Sequence, residues 1–130
     1  MEKLRILIVD DDPSIRKSLQ RSLGIPNSNA CKSREEAVKA LRDDNNVYDV
    51  LITDLEMETK FAGIEVAREA KNRSKPVPVI ILITGTDEEV VRSRMKLIGI
   101  ARIDKILFKP FDPSILEVAI QEFYPGFRLA

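Results

Sequence analysis

Val79-Ile80-Ile81-Leu82-Ile83 is the most apolar run of the chain, and it leads directly into Thr84. Nothing in it alternates, so both faces need cover, as in a central strand of a parallel sheet with helices on either side. Pro76-Val77-Pro78 separates it from an upstream helical period of Ile64, Val66, Ala67 and Ala70. Downstream, Thr84-Gly85-Thr86-Asp87 turns into a helix carrying Val90, Val91, Met95 and Ile98.

The same unit recurs on either side. Leu4 to Val9 reads as the first strand and ends on Asp10-Asp11-Asp12-Pro13. Ile15, Leu19, Ser22 and Leu23 then keep helical spacing until Gly24-Ile25-Pro26 stops them. Asn27 to Cys31 is a weak strand, recognised mainly by its surroundings. Ser33-Arg34-Glu35-Glu36 is a capping box opening a helix with Ala37, Ala40 and Leu41 on its apolar face, closed by Asp43 to Asn46. Val47 to Thr53 leads into Asp54 as another strong strand, and a polar loop follows as far as Gly63. Asp104 to Phe108 is the last strand, Lys109-Pro110-Phe111 a turn, and Ile115, Leu116, Ala119, Ile120 and Phe123 the apolar face of the last helix. A strand followed by a helix, five times over, calls for an α/β, doubly wound parallel sheet with right-handed crossovers and helices on both faces.

Composition narrows the chemistry. At 130 residues the chain is expected to form one domain. Lysine plus arginine and aspartate plus glutamate number 21 each, so no net charge holds it on nucleic acid or an anionic membrane. With no histidine and one cysteine, Cys31, there is no intrachain disulfide, no Cys/His zinc site and no histidine-activated nucleophile. Catalysis would have to run on carboxylates, lysine, hydroxyls or backbone. The start, Met1-Glu2-Lys3-Leu4-Arg5, lacks the apolar stretch of a signal peptide, and no run is long enough to span a membrane. A cytoplasmic protein is the expectation.

Open α/β sheets bind ligands beyond the carboxyl ends of their strands. Here those ends carry Asp10 and Asp11, then Asp54, Thr84 and Lys109. Bunched carboxylates repel one another unless a cation is present, and hard oxygen ligands suit Mg²⁺ or Mn²⁺. Asp12 before Pro13 has a competing explanation as a helix N-cap. Together, carboxylates, a hydroxyl and an ammonium suit a phosphoryl group beside a divalent cation.

Ile6-Leu7-Ile8-Val9-Asp10-Asp11-Asp12-Pro13, Asp49 to Met57, Ile81-Leu82-Ile83-Thr84-Gly85 and Lys109-Pro110-Phe111, in this order, resemble the receiver domain of two-component response regulators. The resemblance runs from about Leu4 to Phe123. It implies a CheY-like, flavodoxin-like (βα)5 domain over 1–124 with strand order 2-1-3-4-5, leaving 125–130 as a short tail or the start of a linker. It implies that Asp54 is the phospho-acceptor, attacking a phosphohistidine to form an acyl phosphate. Asp11 would then ligate Mg²⁺ directly, Asp10 largely through water, and the main-chain carbonyl of Glu56 would complete the protein's share with Asp54. Lys109 would contact the phosphoryl group, Thr84 would move toward it, and Glu56 and Thr86 would tune hydrolysis. Lys109-Pro110 is a candidate cis peptide. The implied partners are a histidine kinase or histidine phosphotransfer protein and a downstream protein on the face of the fourth helix, last strand and last helix, with the chain a monomer or weak homodimer. Beyond phosphotransfer and autodephosphorylation on itself, no enzymatic activity is implied.

The chain departs from that pattern in three places. Glu58 stands where the family usually has proline, and Gly63 comes one residue late, which implies a reshaped loop beside Asp54. About three extra residues lie between Thr84 and Lys109, across Gly99-Ile100-Ala101-Arg102-Ile103-Asp104-Lys105, to be absorbed by the fourth helix or the loop after it. Ile106 replaces the usual aromatic three residues before the lysine, and Phe108 is assigned to the opposite face of the strand and to the core. Two rival readings are an interaction module of the same fold that has lost phosphorylation, and a haloacid-dehalogenase-type phosphohydrolase using Asp10-x-Asp12-x-Ser14.

Overall fold

β4 (Val79–Thr84) lies between β3 (Val50–Asp54) and β5 (Lys105–Phe108), and five of its six residues are buried. In this computed structural model, which describes residues 4–74, 76–100 and 102–130, β1 (Ile6–Val9) and β2 (Ser28–Cys31) complete a five-stranded sheet. Met1 to Lys3, Lys75 and Ala101 lie outside the described residues, and with them the signal-peptide reading of the first residues and part of the 99–105 segment. The strand order is β2-β1-β3-β4-β5 and every pairing is parallel, as the alternation of elements requires.

Side chains alternate across the sheet, dividing the core into two layers. Ile6, Ile8, Val50, Ile52, Ile81, Ile83 and Leu107 face α1 (Pro13–Leu23) and α5 (Pro113–Gln121), which contribute Leu19, Leu23, Leu116, Ala119 and Ile120. Leu7, Val9, Leu51, Ile80 and Leu82 face α2 (Arg34–Arg42), α3 (Ala62–Arg73) and α4 (Glu88–Ile98). This is why the 79–83 run cannot alternate: each neighbour in it belongs to a different layer.

Local signals set the helix ends. Asp12 accepts from Ser14 N–H at 2.9 Å and caps α1 ahead of Pro13, while Gly24, at φ 95°, ends that helix. Ser33 Oγ accepts from Glu36 N–H at 3.2 Å, and the Glu36 carboxylate returns to Lys32 N–H at 3.0 Å, one residue beyond the usual reach of a capping box. Gly99, at φ 86°, closes α4. Among the described residues after it, Ile100 and Ile103 are buried, and the Asp104 carboxylate accepts from Ile80 N–H at 2.8 Å. The extra length is thus anchored as a packed connection.

Three placements differ from the sequence reading. Phe108 is 41% exposed. A single residue, Leu107, lies between it and Ile106, so the pair share a strand face, and it is Leu107 that enters the core layer of α1 and α5. Phe123 follows the end of α5 and is exposed, as is Ile115, so Leu116, Ala119 and Ile120 alone form the buried stripe of that helix. Val90 is likewise exposed, and α4 buries Val91 and Met95. An eleven-residue helix over a sheet edge has a narrower apolar stripe than one across its middle.

Candidate functional site

The carboxyl ends of β1, β3, β4 and β5 meet on one rim. Carboxylate oxygens of Asp10, Asp11 and Asp54 all lie within 4.8 Å of one another, a cluster able to hold a metal ion. Asp10 and Asp54 are buried and Asp11 is exposed. Lys109, from the turn after β5, places Nζ 3.3 Å from Asp54 Oδ1 and 3.6 Å from Asp10 Oδ2. Its N–H is fixed by Thr84 C=O at 2.8 Å, and the Lys109–Pro110 peptide bond is cis.

The electrostatics of the cluster follow from burial. Asp54 is pushed up to about 6, first by desolvation and then by the charge of Asp10, against the opposing pull of Lys109 and of Leu55 N–H, which donates to Oδ1 at 2.9 Å. Burial also raises Asp10, whose Oδ1 accepts from Asp12 N–H at 2.9 Å while its buried Oδ2 accepts no hydrogen bond. A buried carboxylate oxygen left without a donor, beside two more carboxylates, is a donor set that fits a hard divalent cation. Asp12 stands apart: its carboxyl is held below the ordinary range by the Ser14 hydroxyl and N–H that it caps.

Thr84 is buried, and its Oγ1 accepts from Thr86 N–H at 2.9 Å, leaving the hydroxyl proton free to donate. Glu56 is turned outward: Oε1 accepts from Thr86 Oγ1 at 2.5 Å and lies 3.5 Å from Arg94 Nη1, and these contacts, the Thr86 bond foremost, hold its carboxyl low. The reshaped loop is pinned on its other flank as well, where both Glu58 oxygens accept from Arg34 N–H at the start of α2, at 3.2 and 3.1 Å. Gly63 N–H donates to Leu55 C=O at 2.8 Å, bringing α3 so close that a Cβ there would run into the Asp54 carbonyl.

The sequence profile of the response regulator receiver domain matches residues 6–121. The chain belongs to that family. A response regulator MprA from Mycobacterium sp. (strain KMS) is 34% identical to it over 109 residues, 83% of this chain but 45% of that protein, so the chain spans about half the length of the curated relatives it matches. Among solved structures, a response regulator receiver domain protein from Clostridium thermocellum superposes with a TM-score of 0.75 at 26% identity, over 92% of each chain. A CheY-like receiver domain protein from Methanospirillum hungatei JF-1 gives a TM-score of 0.78 at 21% identity over 95% of each chain, a likeness of fold alone. As a receiver domain the chain is a signalling domain. Its acidic rim lies at the carboxyl ends of the strands, where open parallel sheets bind ligands.

The residues singled out from sequence as Asp10, Asp11, Asp54, Thr84 and Lys109 are therefore brought together, and Thr86 and Glu56 stand beside them, bonded to each other. Sequence reading missed Arg94, and it flagged Glu58 only as a departure in the loop, without its contact to Arg34. Each works through a contact with a residue more than twenty positions away, and no local spacing announces such a contact.

Proposed function

We propose that Asp54 is the phospho-acceptor of a two-component signalling pathway, receiving a phosphoryl group from the phosphohistidine of a histidine kinase or phosphotransfer protein. The observation that carries this is Lys109 Nζ set between Asp54 and Asp10, within 3.6 Å of both, at the rim of a receiver fold. In this reading 1–124 form the receiver domain, 125–130 a short tail or the start of a linker, and the setting is cytoplasmic.

An Asp54 carboxylate oxygen attacks phosphorus as the phosphorus–nitrogen bond of a donor protonated on its other ring nitrogen breaks; the electron pair stays on the leaving nitrogen, giving an acyl phosphate and neutral histidine. Leu55 N–H orients the carboxylate, Lys109 offsets charge on the phosphoryl oxygens, and the Thr84 hydroxyl donates to one of them. Mg²⁺, or Mn²⁺ in its place, would be held by Asp10, Asp11, Asp54 and the Glu56 carbonyl and would supply the remaining charge neutralisation. The acyl phosphate then changes which downstream protein binds at α4, β5 and α5. Asp12 is occupied as a helix cap outside the cluster, which argues against its service as the acid of a dehalogenase-type hydrolase.

Mass spectrometry after incubation with Mg²⁺ and acetyl phosphate tests the proposal. A single labile phosphoryl adduct is expected, absent from Asp54→Asn and absent with EDTA. An adduct that survives Asp54→Asn but disappears in Asp10→Asn points to the hydrolase. No adduct under any condition points to an interaction module without phosphorylation.

A further inference from the structure

Arg94, on α4, donates through Nη1 to Lys60 C=O at 3.1 Å and lies 3.5 Å from Glu56 Oε1, with only 15% of its side chain exposed. An arginine on a helix surface ordinarily keeps its guanidinium in water. Arg92, two positions earlier, does so: 62% exposed, it pairs among the described residues only with Glu88 of its own helix. Arg94 instead gives up its freedom to fasten the loop after β3 to α4.

The fastening continues inward. The Glu56 oxygen facing Arg94 also accepts from Thr86 Oγ1, and Thr86 N–H donates to Thr84 Oγ1. Glu56 and Thr86 each lie two residues beyond Asp54 and Thr84, at the ends of neighbouring paired strands, so their bond crosses the rim between those residues. Consecutive contacts therefore join a buried hydroxyl at the acceptor site to a guanidinium on α4. If Thr84 turns toward a phosphoryl oxygen, its Oγ1 leaves Thr86 N–H, and Thr86 and Glu56 must readjust with it.

We propose that Arg94 is a positioning residue that couples occupancy of the acceptor site to α4 through Glu56, Thr86 and Thr84. The proposal rests on the phospho-acceptor reading above and adds the route by which the loaded site is felt at that helix.

Hydrogen–deuterium exchange of the 88–98 amides, with and without Mg²⁺ and fluoroberyllate, provides the test on the full chain, with thermal shift as a separate measure of site loading. In the parent chain and in Arg92→Ala, fluoroberyllate raises the melting temperature and changes α4 exchange by about threefold or more. In Arg94→Ala the thermal shift persists while the α4 response is lost. Arg94→Gln keeps the aliphatic stem and also loses the response, and Arg94→Lys, which can still pair with Glu56, recovers part of it. An undiminished α4 response in Arg94→Ala and Arg94→Gln overturns the coupling, as does a loaded parent chain whose α4 does not respond. Absence of any fluoroberyllate-dependent thermal shift in the parent chain overturns the acceptor reading itself, and the coupling with it.

Discussion

Asp54 and Asp10 hold charges that the fold, without a cation, makes unfavourable. Burial raises both, and a neighbouring carboxylate adds to it, Asp10 at Asp54 and Asp11 at Asp10, which takes Asp54 to about 6. An acid whose folded value lies above its unfolded one binds more protons folded than unfolded, so metal-free stability falls as pH rises from about 4 through about 6. For Asp54 the loss is at most about 3 kcal/mol, since each unit is worth about 1.4 kcal/mol. Urea denaturation in EDTA should show a higher midpoint at pH 5 than at pH 7.5 by this site's contribution, and the difference should shrink in Asp54→Asn, where Asp10 alone remains raised. Mg²⁺ should stabilise more at pH 7.5 than at pH 5, because it binds the ionised form. Equal stabilisation at both pH values would place the ion elsewhere. Gly63 presents a steric version of the same dependence on neighbours: Gly63→Ala must move α3 away from the Asp54 and Leu55 backbone, whose Cα would lie 2.7 Å from the new Cβ. A stability loss of about 1–3 kcal/mol and slower acetyl phosphate labelling are expected, measured by urea midpoint and mass spectrometry.

The elements divide by how local their causes are. α2 begins where Ser33 and Glu36 say it should, because a capping box joins residues three apart and is written in adjacent letters. Ser33→Ala should cost about 1 kcal/mol, visible as a lower urea midpoint with unchanged slope. β4 was legible for a similar reason, its unbroken apolar run being the direct signature of two covered faces. β2 was legible only from its surroundings: Ser28-Asn29-Ala30-Cys31 has little strand character of its own and forms because β1 offers it a parallel edge. Phe108 shows the converse, an aromatic whose apolarity suggested burial although strand parity puts it with Ile106 at the sheet edge. The acidic rim was legible because a parallel sheet gathers its strand ends whatever the helices do. The clasp on Glu56 was not, because Arg94 reaches it only through the packing of α4 on the loop after β3.

At the scale of the molecule, site and closure lie at opposite ends of the sheet. α1 starts beside the acidic rim at Pro13 and ends at Leu23, and there the last residues of the chain fold back on it. Ala130 N–H donates to Ser22 C=O at 2.8 Å, Leu129 N–H to the Glu117 carboxylate at 2.8 Å, and Gln121 Nε2 to Phe127 C=O at 2.8 Å. Phe127 is 6% exposed and belongs to the core layer formed with α1 and α5. Burial of one aromatic ring is a sizeable share of a small domain's net stability, so the tail should act as part of the core. Phe127→Ala is expected to cost about 3–4 kcal/mol and Phe127→Leu clearly less, read from urea midpoints. At temperatures where both variants remain folded, labelling by acetyl phosphate should match that of the parent chain, because the strand length separates Phe127 from Asp54. An unchanged midpoint in Phe127→Ala would show that the tail rests on the domain without supporting it. Slower labelling in the fully folded variant would show that the two ends of the sheet communicate, and that closure of the far end is part of how Asp54 is kept competent.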